Sequence, residues 1–330
     1  MNTAVGSTFR VPGIPIDATR LGLGGAPTGG HGWGPRDDQA ATEAIIEAID
    51  AGITFFDTAD VYGLGLGEEI FGRVMSLRPA NRSSSVICTK GGVAWDAAGR
   101  TRRDSTPTYL RTALEASLRR LQTDCIDLYY LHWVDGTTPI EASVDALTRF
   151  RTEGKVQAIG ICNVRPQELL ALDWARLAAV QVKGNLLEPA DLLQTSVAAK
   201  AIGAAVVCSS ALADGLLSGA ITRDRGFGPD DHRSRYPLFQ PGTFEVALQH
   251  VGDLARVARQ IGKAPASVAI RWLLQSGLAD AALAGTTSAR HIRENIDCLR
   301  FELTAEHMAE LATLVPMDSV LALQKWIRQG

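Results

Sequence analysis

The stretch ITFFDTADVYG (residues 53–63) is a short apolar run that ends in an acidic residue. The run is rich in β-branched and aromatic residues, which predicts a buried strand over residues 53–57. Asp57 then lies at the carboxyl end of that strand, and Tyr62 follows in the loop beyond it. Parallel α/β folds place their chemistry at the carboxyl ends of strands. The stretch therefore predicts both a strand and the edge of a functional site.

The same pattern, a short apolar run followed by a helical window, repeats along the chain. Strands are predicted at residues 21–25, 53–57, 85–90, 125–133, 156–161, 178–183, 204–210 and 280–285. Helices are predicted at residues 37–51, 67–75, 106–121, 138–154, 165–173, 191–203, 243–262, 265–276, 288–299 and 304–315. This arithmetic indicates an α/β fold of the (β/α)8 TIM-barrel type, with a long loop after strand 7 and an extra C-terminal helix. We expect a single barrel domain over residues 1–330.

The competing fold is a doubly wound parallel sheet. With a dinucleotide ligand, that fold would carry a G-x-G-x-x-G turn after its first strand. The chain reads GLGGAP at residues 22–27, and Pro27 stands where the last glycine would be. The segment from residue 211 to 241 is rich in Gly, Pro and Arg and is too long for a passive connection. We therefore favour the barrel and expect this segment to be a substrate or cofactor loop.

Composition and charge argue against several kinds of partner. The formal net charge is −3 with no run of like charges, which disfavours nucleic acid and anionic membranes. No signal-peptide pattern opens the sequence, and no apolar run reaches the ~20 residues that span a bilayer. The cysteines form no C-x-x-C motif, and the histidines at positions 31, 232, 250 and 307 show no metal-ligand spacing. We expect a cytoplasmic protein without a metal, and the sequence gives no indication of an oligomer.

Four polar side chains stand at or just after the ends of consecutive predicted strands. Asp57 ends the second strand, with Tyr62 beyond it. Lys90 ends the third strand, and His132 ends the fourth. A buried lysine needs a counter-charge, and Asp57 is the nearest candidate. We therefore expect an acid, a phenol, an amine and an imidazole together at one face of the barrel.

This set of groups can reduce a carbonyl. Tyr62 would donate a proton to the developing alkoxide, and the ammonium of Lys90 would lower the pKa of that phenol. Asp57 would keep Lys90 charged. His132 would hydrogen-bond the carbonyl oxygen and orient the substrate. No side chain supplies a hydride, so the chemistry calls for a nicotinamide cofactor.

Five segments of the chain form an ordered set of motifs. They are AGITFFDTADVYGLGLGEEIFG, VICTKGG, DLYYLHW, GKVQAIGICN and, near the C-terminus, GTTSARHIREN. Together they resemble the signatures of the aldo-keto reductase family over nearly the whole chain. The resemblance implies a barrel, a nicotinamide cofactor and reversible carbonyl reduction. It assigns the catalytic roles to Asp57, Tyr62, Lys90 and His132.

The resemblance also implies which residues hold the cofactor. They are Cys162, Asn163, Gln181, Ser209, Ser210, Leu212, Gly285, Thr286, Thr287, Ser288, Arg290, His291, Glu294 and Asn295. Asn163 and Gln181 match residues that bind the carboxamide of the nicotinamide. The chain departs from the family pattern at Ser209 and Gly184, where an aromatic residue commonly stands.

The choice between NADPH and NADH depends on the GTTSARHIREN segment. Its hydroxyls are neutral, and its charges come from Arg290 and Arg293, which share one face of a helix, and from His291. A 2′-phosphate calls for such a charge, so NADPH is favoured and NADH is left open. If the arginine face turns to solvent, the two cofactors should bind about equally.

The sequence features that bear on substrate recognition are three tryptophans and the arginines of the 211–241 segment. Trp33, Trp95 and Trp133 follow strands one, three and four and are expected at the mouth of the substrate pocket. The leading function is an NAD(P)H-dependent aldehyde or ketone reductase. The alternatives are a sugar or alcohol dehydrogenase and a nucleotide-binding regulatory subunit. A metal-dependent hydrolase is disfavoured because no His-x-His motif or carboxylate cluster ends a strand.

Overall fold

The barrel predicted from the sequence is confirmed. The computed structural model describes residues 7–30, 32–34, 36–171 and 176–315. Eight strands close an all-parallel barrel in which each strand pairs with the next and the eighth pairs with the first. In chain order these strands are Leu21–Gly24, Phe55–Asp57, Val86–Gly91, Ile126–Leu131, Val156–Cys162, Ala179–Lys183, Ala205–Ser209 and Ala281–Gly285.

Helices surround the barrel, and all but two short ones, at residues 26–29 and 79–83, lie where the apolar periodicity predicts them. They are α1 (Ala26–Gly29), α2 (Asp38–Asp50), α3 (Leu66–Ser76), α4 (Pro79–Ser83), α5 (Pro107–Leu121), α6 (Ile140–Thr152), α7 (Pro166–Ala171), α8 (Ala190–Ala201), α9 (Thr243–Gln260), α10 (Pro265–Gln275), α11 (Ala289–Ile296) and α12 (Ala305–Ala312). The helix predicted at residues 165–173 extends past the described residues, which stop at 171 and resume at 176. His31 also lies outside the described residues. The helix predicted to run to residue 299 ends at Ile296 and continues as a 3₁₀ turn, Asp297–Leu299.

Local sequence explains where the helices begin. The side chain of Asp37 accepts a hydrogen bond from the backbone N–H of Ala40, which satisfies one of the free donors at the start of α2. Thr106 does the same for Tyr109 at the start of α5, where Pro107 occupies the first helical position. In the described part of the chain, no helix is long and apolar enough to cross a membrane.

The amino end of the barrel is closed by a hairpin that the sequence did not predict. Thr8–Phe9 pairs antiparallel with Ala18–Thr19. Phe9 packs edge-on against Phe55 of the second barrel strand, with ring centroids 5.1 Å apart. Because this end is plugged by apolar side chains, polar side chains that point into the barrel can reach a ligand only at the carboxyl end.

A second unpredicted hairpin lies at the carboxyl end. Val93–Trp95 pairs with Thr101–Arg103 directly after the third barrel strand. Each of its strands has three residues, too few for an apolar alternation to be read from sequence. The hairpin carries Trp95 and follows directly after the strand that contains Lys90.

The long loop after the seventh strand is ordered into short turns. It contains three 3₁₀ turns, Leu216–Ser218, His232–Ser234 and Pro237–Phe239. The backbone N–H of His232 donates to the carbonyl of Gly32 at 3.0 Å. The loop therefore reaches across the carboxyl end of the barrel to the turn that follows the first strand.

Candidate active site

A buried ion pair lies at the carboxyl ends of the second and third strands. Lys90 Nζ lies 2.5 Å from Asp57 Oδ1 and donates to the carbonyl of Thr58 at 2.8 Å. Both charged residues are buried, as the apolar runs before them predict. The other carboxylate oxygen of Asp57 accepts from Gln181 Nε2 at 2.8 Å. The pairing of Lys90 with Asp57 that the sequence predicts is present.

The pair keeps the lysine charged. Burial is the largest influence on Lys90 and acts to lower its pKa, but the charge and hydrogen bond of Asp57, together with Tyr62 and Cys162, outweigh burial, so the pKa lies above its ordinary value. Burial raises the pKa of Asp57, and the charge of Lys90 and the hydrogen bonds from Lys90 and Gln181 oppose that rise. The site thus holds a fixed positive charge in a water-poor environment.

Tyr62 and His132 lie next to this charge. Lys90 Nζ is 5.0 Å from the centroid of the Tyr62 ring. The rings of Tyr62 and His132 meet edge-on with centroids 5.9 Å apart. The structure therefore brings together all four residues that the sequence predicts as catalytic.

The loop that carries Tyr62 is held against α1 by close backbone contact. Gly63 has a φ of +64°, and a Cβ there would lie 2.3 Å from the carbonyl oxygen of Gly29. Only glycine satisfies both the conformation and the space. The glycine after Tyr62 in the opening motif therefore fixes where the phenol ring lies.

The phenol of Tyr62 departs from expectation in one respect. Part of Tyr62 reaches the cavity surface, yet the protein atoms around it raise the pKa of its phenol above the ordinary value. The charge of Lys90 lowers the pKa of Tyr62, as the sequence predicts, but burial outweighs it. The predicted lowering by Lys90 is therefore present but smaller than the effect of burial, and Tyr62 is protonated at neutral pH.

His132 is neutral. Burial, with the nearby charge of Lys90, holds the pKa of His132 well below its ordinary value. Its carbonyl accepts a hydrogen bond from Asn163 Nδ2 at 3.0 Å. A neutral imidazole carries one N–H, so it can donate a hydrogen bond to a ligand oxygen but cannot serve as a cation.

A cavity of about 460 Å³ opens beside these residues. Asp57 and Tyr62 form part of its wall. Of the residues predicted to hold a cofactor, it is lined by Gln181, Ser209, Ser210, Leu212, Gly285, Thr286, Thr287, His291, Glu294 and Asn295. The cavity thus runs from Asp57 and Tyr62 to the start of α11.

The other residues predicted to hold a cofactor lie beside the cavity without lining it. Cys162 is buried at the end of the fifth strand, and Asn163 supports His132. Ser288 caps α11 by accepting from the backbone N–H of His291. Arg290 is largely exposed and pairs with Glu294 at 2.7 Å.

The arginine face of α11 points away from the cavity. Arg293 pairs with Glu47 of α2 at 2.8 Å, and its side chain is 60% exposed. The side chain of Arg290 is 68% exposed. His291, by contrast, lines the cavity. The two arginines that the sequence offers for a 2′-phosphate are therefore engaged elsewhere, whereas His291 reaches the cavity.

The long loop supplies cations that the sequence could not place. Arg225 and Arg233 line the cavity. Arg233 is held by Asp231, with Nη2 2.6 Å from Oδ2. Arg225 makes no ion pair with any described residue. The only sequence signal for them was the richness of the 211–241 segment in arginine.

The three tryptophans predicted at the substrate pocket lie in three different places. Trp33 lines the cavity and meets the ring of His232 edge-on at 4.4 Å. Trp133 stacks beside His132, with ring centroids 6.5 Å apart, under the guanidinium of Arg103. Trp95 lies near Arg120, at 5.9 Å, and does not line the cavity. Only Trp33 therefore contributes directly to the cavity wall.

No other part of the described chain offers comparable chemistry. A cleft of about 510 Å³ lies at the amino end of the barrel, but its buried carboxylate, Asp127, is already paired with Arg82 at 2.8 Å. Among the described residues, no three His, Cys, Asp or Glu side chains converge as metal ligands.

Known proteins share this fold and these motifs. The model described as the aldo/keto reductase family matches residues 20–316. The chain is 32% identical over 302 residues to the aldo-keto reductase YhdN of Bacillus subtilis (strain 168), covering 91% of both chains. It is 29% identical over 314 residues to the NADP(+) aldo-keto reductase yakc of Schizosaccharomyces pombe, covering 90% of this chain and 91% of that one.

Solved structures agree. The glycerol dehydrogenase AKR11B4 from Gluconobacter oxydans matches with a TM-score of 0.84 and 34% identity, covering 94% of this chain and 95% of that one. The holo form of the aldo-keto reductase AKR11C1 from Bacillus halodurans shares the fold, with a TM-score of 0.74. Since the family model spans nearly the whole chain and a relative at 32% identity is matched almost end to end, the chain belongs to the aldo/keto reductase family of NAD(P)H-dependent oxidoreductases.

Proposed function

We propose that the protein reduces an aldehyde or ketone to an alcohol with Tyr62 as the general acid. The observation that carries this proposal is the position of Lys90, whose ammonium is fixed by Asp57 and Thr58 and lies 5.0 Å from the centre of the Tyr62 ring. A fixed cation at that place stabilises the phenolate that remains after the proton has left. It therefore lowers the barrier for proton donation to a developing alkoxide.

The side chains divide the work. His132, which is neutral and meets the Tyr62 ring edge-on, donates a hydrogen bond to the carbonyl oxygen and orients it towards the phenol. Tyr62 transfers its proton to that oxygen as negative charge develops on it. Asp57 keeps Lys90 charged and in place throughout. The hydride would come from a nicotinamide cofactor bound in the cavity.

The cavity fits such a cofactor. Its volume of about 460 Å³ suits a large ligand, and its polar lining includes the hydroxyls of Ser209, Ser210 and Thr286. Arg225 and Arg233 bring positive charge from the long loop, as a diphosphate requires. Asp57, Tyr62 and Gln181 at one end of the cavity would hold the nicotinamide, and the residues at the start of α11 would hold the adenosine.

The sequence favours NADPH because of two arginines, but neither of them lines the cavity. Arg290 and Arg293 make ion pairs with Glu294 and Glu47 at the protein surface. We propose that the enzyme binds NADPH and NADH with similar affinity. Arg225 then contributes to both, because it serves the diphosphate that the two cofactors share.

A second candidate function is the reverse reaction. The chain is 34% identical to a glycerol dehydrogenase over nearly its full length. The same four residues oxidise an alcohol when Tyr62, as a phenolate, accepts the proton of the hydroxyl group. This direction is favoured by high pH, whereas reduction is favoured at neutral pH.

The deciding experiment compares wild type with Tyr62→Phe. Reduction of glyceraldehyde and dihydroxyacetone and oxidation of glycerol are followed at the nicotinamide absorbance band with each cofactor. Loss of general acid catalysis should lower kcat by ~10²–10⁴-fold while the Kd of the cofactor stays within about twofold. A Tyr62→Phe variant with the kcat of wild type would refute the mechanism. A wild-type protein that binds the cofactor but turns over no member of a wider carbonyl panel would favour the regulatory subunit.

We also propose a cytoplasmic location. The cysteines at positions 88, 125, 162, 208 and 298 are all free, and all but Cys125 are buried. Unpaired thiols in a chain of this size are typical of reducing compartments. Fractionation of the source cells, followed by immunoblotting, tests the location.

A further inference from the structure

A buried carboxyl group lies two residues before Tyr62 and has no part in the reaction described above. Asp60 is 0% exposed. Its backbone N–H donates to the carbonyl of Lys90 at 3.2 Å, which joins the Tyr62 loop to the third strand. Its side chain meets α5, where Oδ2 lies 3.4 Å from the hydroxyl oxygen of Tyr109. Asp60 thus connects the loop of the general acid to two neighbouring elements.

The Tyr109 hydroxyl has one proton and two oxygen neighbours, Val93 and Asp60. The Tyr109 hydroxyl lies 2.8 Å from the carbonyl oxygen of Val93, the nearer of its two acceptors. A hydroxyl has a single proton to give, and a carbonyl oxygen has none. When Tyr109 gives its proton to Val93, the nearer acceptor, the contact between Tyr109 and Asp60 is a hydrogen bond only if Asp60 supplies the second proton. Val93 lies in the Val93–Trp95 hairpin, so the chain from Asp60 through Tyr109 ends at that hairpin.

The charges around Asp60 lead to the same conclusion. Glu68 of α3 is also fully buried, and Arg120 of α5 donates to it from Nε at 2.6 Å. Thr89 donates to the other oxygen of Glu68 at 2.5 Å. Within the described chain, Asp60 has no ion pair, and its Oδ1 has no hydrogen-bond partner. An ionised Asp60 would be a second buried anion without a cation of its own, which is strongly unfavourable.

We propose that Asp60 is a positioning residue that carries a proton and donates it to Tyr109, fixing the Tyr62 loop against the Val93–Trp95 hairpin. The effect of Asp60 on turnover rests on the proposed role of Tyr62. The protonation of Asp60 does not rest on that role, and a separate stability experiment measures it.

The titratable groups that face Asp60 set the direction of its pH dependence. They are Glu68 on α3, Tyr109 and Arg120 on α5, Tyr129 on the fourth strand and, through its backbone, Lys90 on the third. Burial and the charge of Glu68 raise the pKa of Asp60 well above its ordinary value, and Arg120 opposes them. Such a group contributes its full stability below the unfolded-state pKa of about 4, and the contribution is lost as the pH rises through the folded-state pKa.

The first test compares the Tm of wild type and Asp60→Asn from pH 4 to pH 9. Asparagine keeps the shape and can donate to Tyr109, but it never ionises. We expect equal Tm values near pH 4 and a variant that becomes progressively more stable than wild type as the pH rises. Asp124→Asn, which changes an exposed carboxylate without an ion pair in the described chain, is the matched control and should show no such trend.

Two outcomes overturn the protonation. If Asp60→Asn is less stable than wild type at pH 8 and the gap closes towards pH 4, Asp60 is an ionised partner in the folded protein. If the two Tm values differ by a constant amount across the range, the carboxyl group has an ordinary pKa. Neither reading depends on catalysis.

The second test measures kcat and KM. Asp60→Ala removes the donor, so the Tyr62 loop shifts; we expect kcat to fall by roughly 10–100-fold with KM within about threefold of wild type. Asp60→Asn should restore kcat to within about threefold. Tyr109→Phe breaks the same connection and serves if Asp60→Ala does not fold. Full kcat in Asp60→Ala or Tyr109→Phe would overturn the positioning role, whereas an active Tyr62→Phe would instead overturn the proposed mechanism.

Discussion

Gln181 donates from Nε2 to Oδ2 of Asp57 at 2.8 Å, while Lys90 lies 2.5 Å from Oδ1 of the same carboxylate. Both oxygens of Asp57 are thereby engaged, which fixes the rotation of its carboxylate and the position of the lysine. Gln181 also lines the cavity. The wall of the proposed cofactor site and the catalytic ion pair are therefore built from one hydrogen-bonded network.

Breaking this network from the lysine side should cost both stability and activity. Lys90→Met leaves Asp57 as a buried, unpaired anion, which destabilises a protein by about 3–5 kcal/mol. The double variant Asp57→Leu with Lys90→Met removes both charges and should recover a large part of that loss. Neither variant should turn over substrate. Urea unfolding measures the free energies, and a Lys90→Met single variant as stable as wild type would contradict the buried pair.

The pH profile of reduction should be set by Tyr62 alone. Tyr62 must be protonated to donate, and its pKa is raised above 10.0 by burial. The kcat/KM for an aldehyde should therefore stay level through neutral pH and fall only as the phenol ionises in the alkaline range. Alcohol oxidation should rise over the same range. Initial rates in overlapping buffers from pH 5.5 to pH 10.5 measure both limbs.

His132 should produce no inflection in the pH profile of kcat/KM. Burial keeps the pKa of His132 well below 6.5, so it does not change charge near neutrality. An inflection of kcat/KM between about pH 6 and pH 7, absent from a His132→Asn variant, would show instead that His132 titrates during the reaction.

The grouping of the four proposed catalytic residues could be predicted from the sequence because composition marks the ends of strands. The run before Asp57 and the run before Lys90 are mostly apolar and β-branched, and in a parallel barrel their ends must meet at one face. The Asp57–Lys90 pair then follows, since a buried lysine needs a counter-charge. Tyr62 stands a few residues beyond a strand end, and the glycine after it fixes the loop.

What sequence could not provide was orientation and environment. Periodicity groups Arg290 with Arg293, but only the packing of α11 decides that this face meets solvent and that His291 meets the cavity. The sequence shows that Lys90 acts to lower the pKa of Tyr62. The larger effect on that pKa is burial, which exists only once the barrel has closed. Trp95 lies in a hairpin whose strands are too short to predict, so its place could not be inferred.

The last prediction concerns which arginine holds the cofactor. Arg290 and Arg293 are largely exposed and paired with carboxylates, so replacing either with alanine should change the Kd of NADPH and of NADH by less than about twofold, as for most surface ion pairs. Arg225 lines the cavity from the long loop and has no ion pair in the described chain. If it contacts the diphosphate, Arg225→Ala should weaken both cofactors alike, by about tenfold, the worth of one charged hydrogen bond.

A matched control lies on the same loop. Arg223 is exposed two residues away and does not line the cavity, so Arg223→Ala should bind both cofactors as wild type does. Titration by quenching of protein fluorescence gives each Kd. A loss confined to NADPH in Arg225→Ala would move this arginine from the shared diphosphate to the 2′-phosphate, because only NADPH carries that group. A selective loss in Arg290→Ala or Arg293→Ala would mean that α11 turns its arginine face inward when the cofactor binds, and the proposed equal use of the two cofactors would then fail.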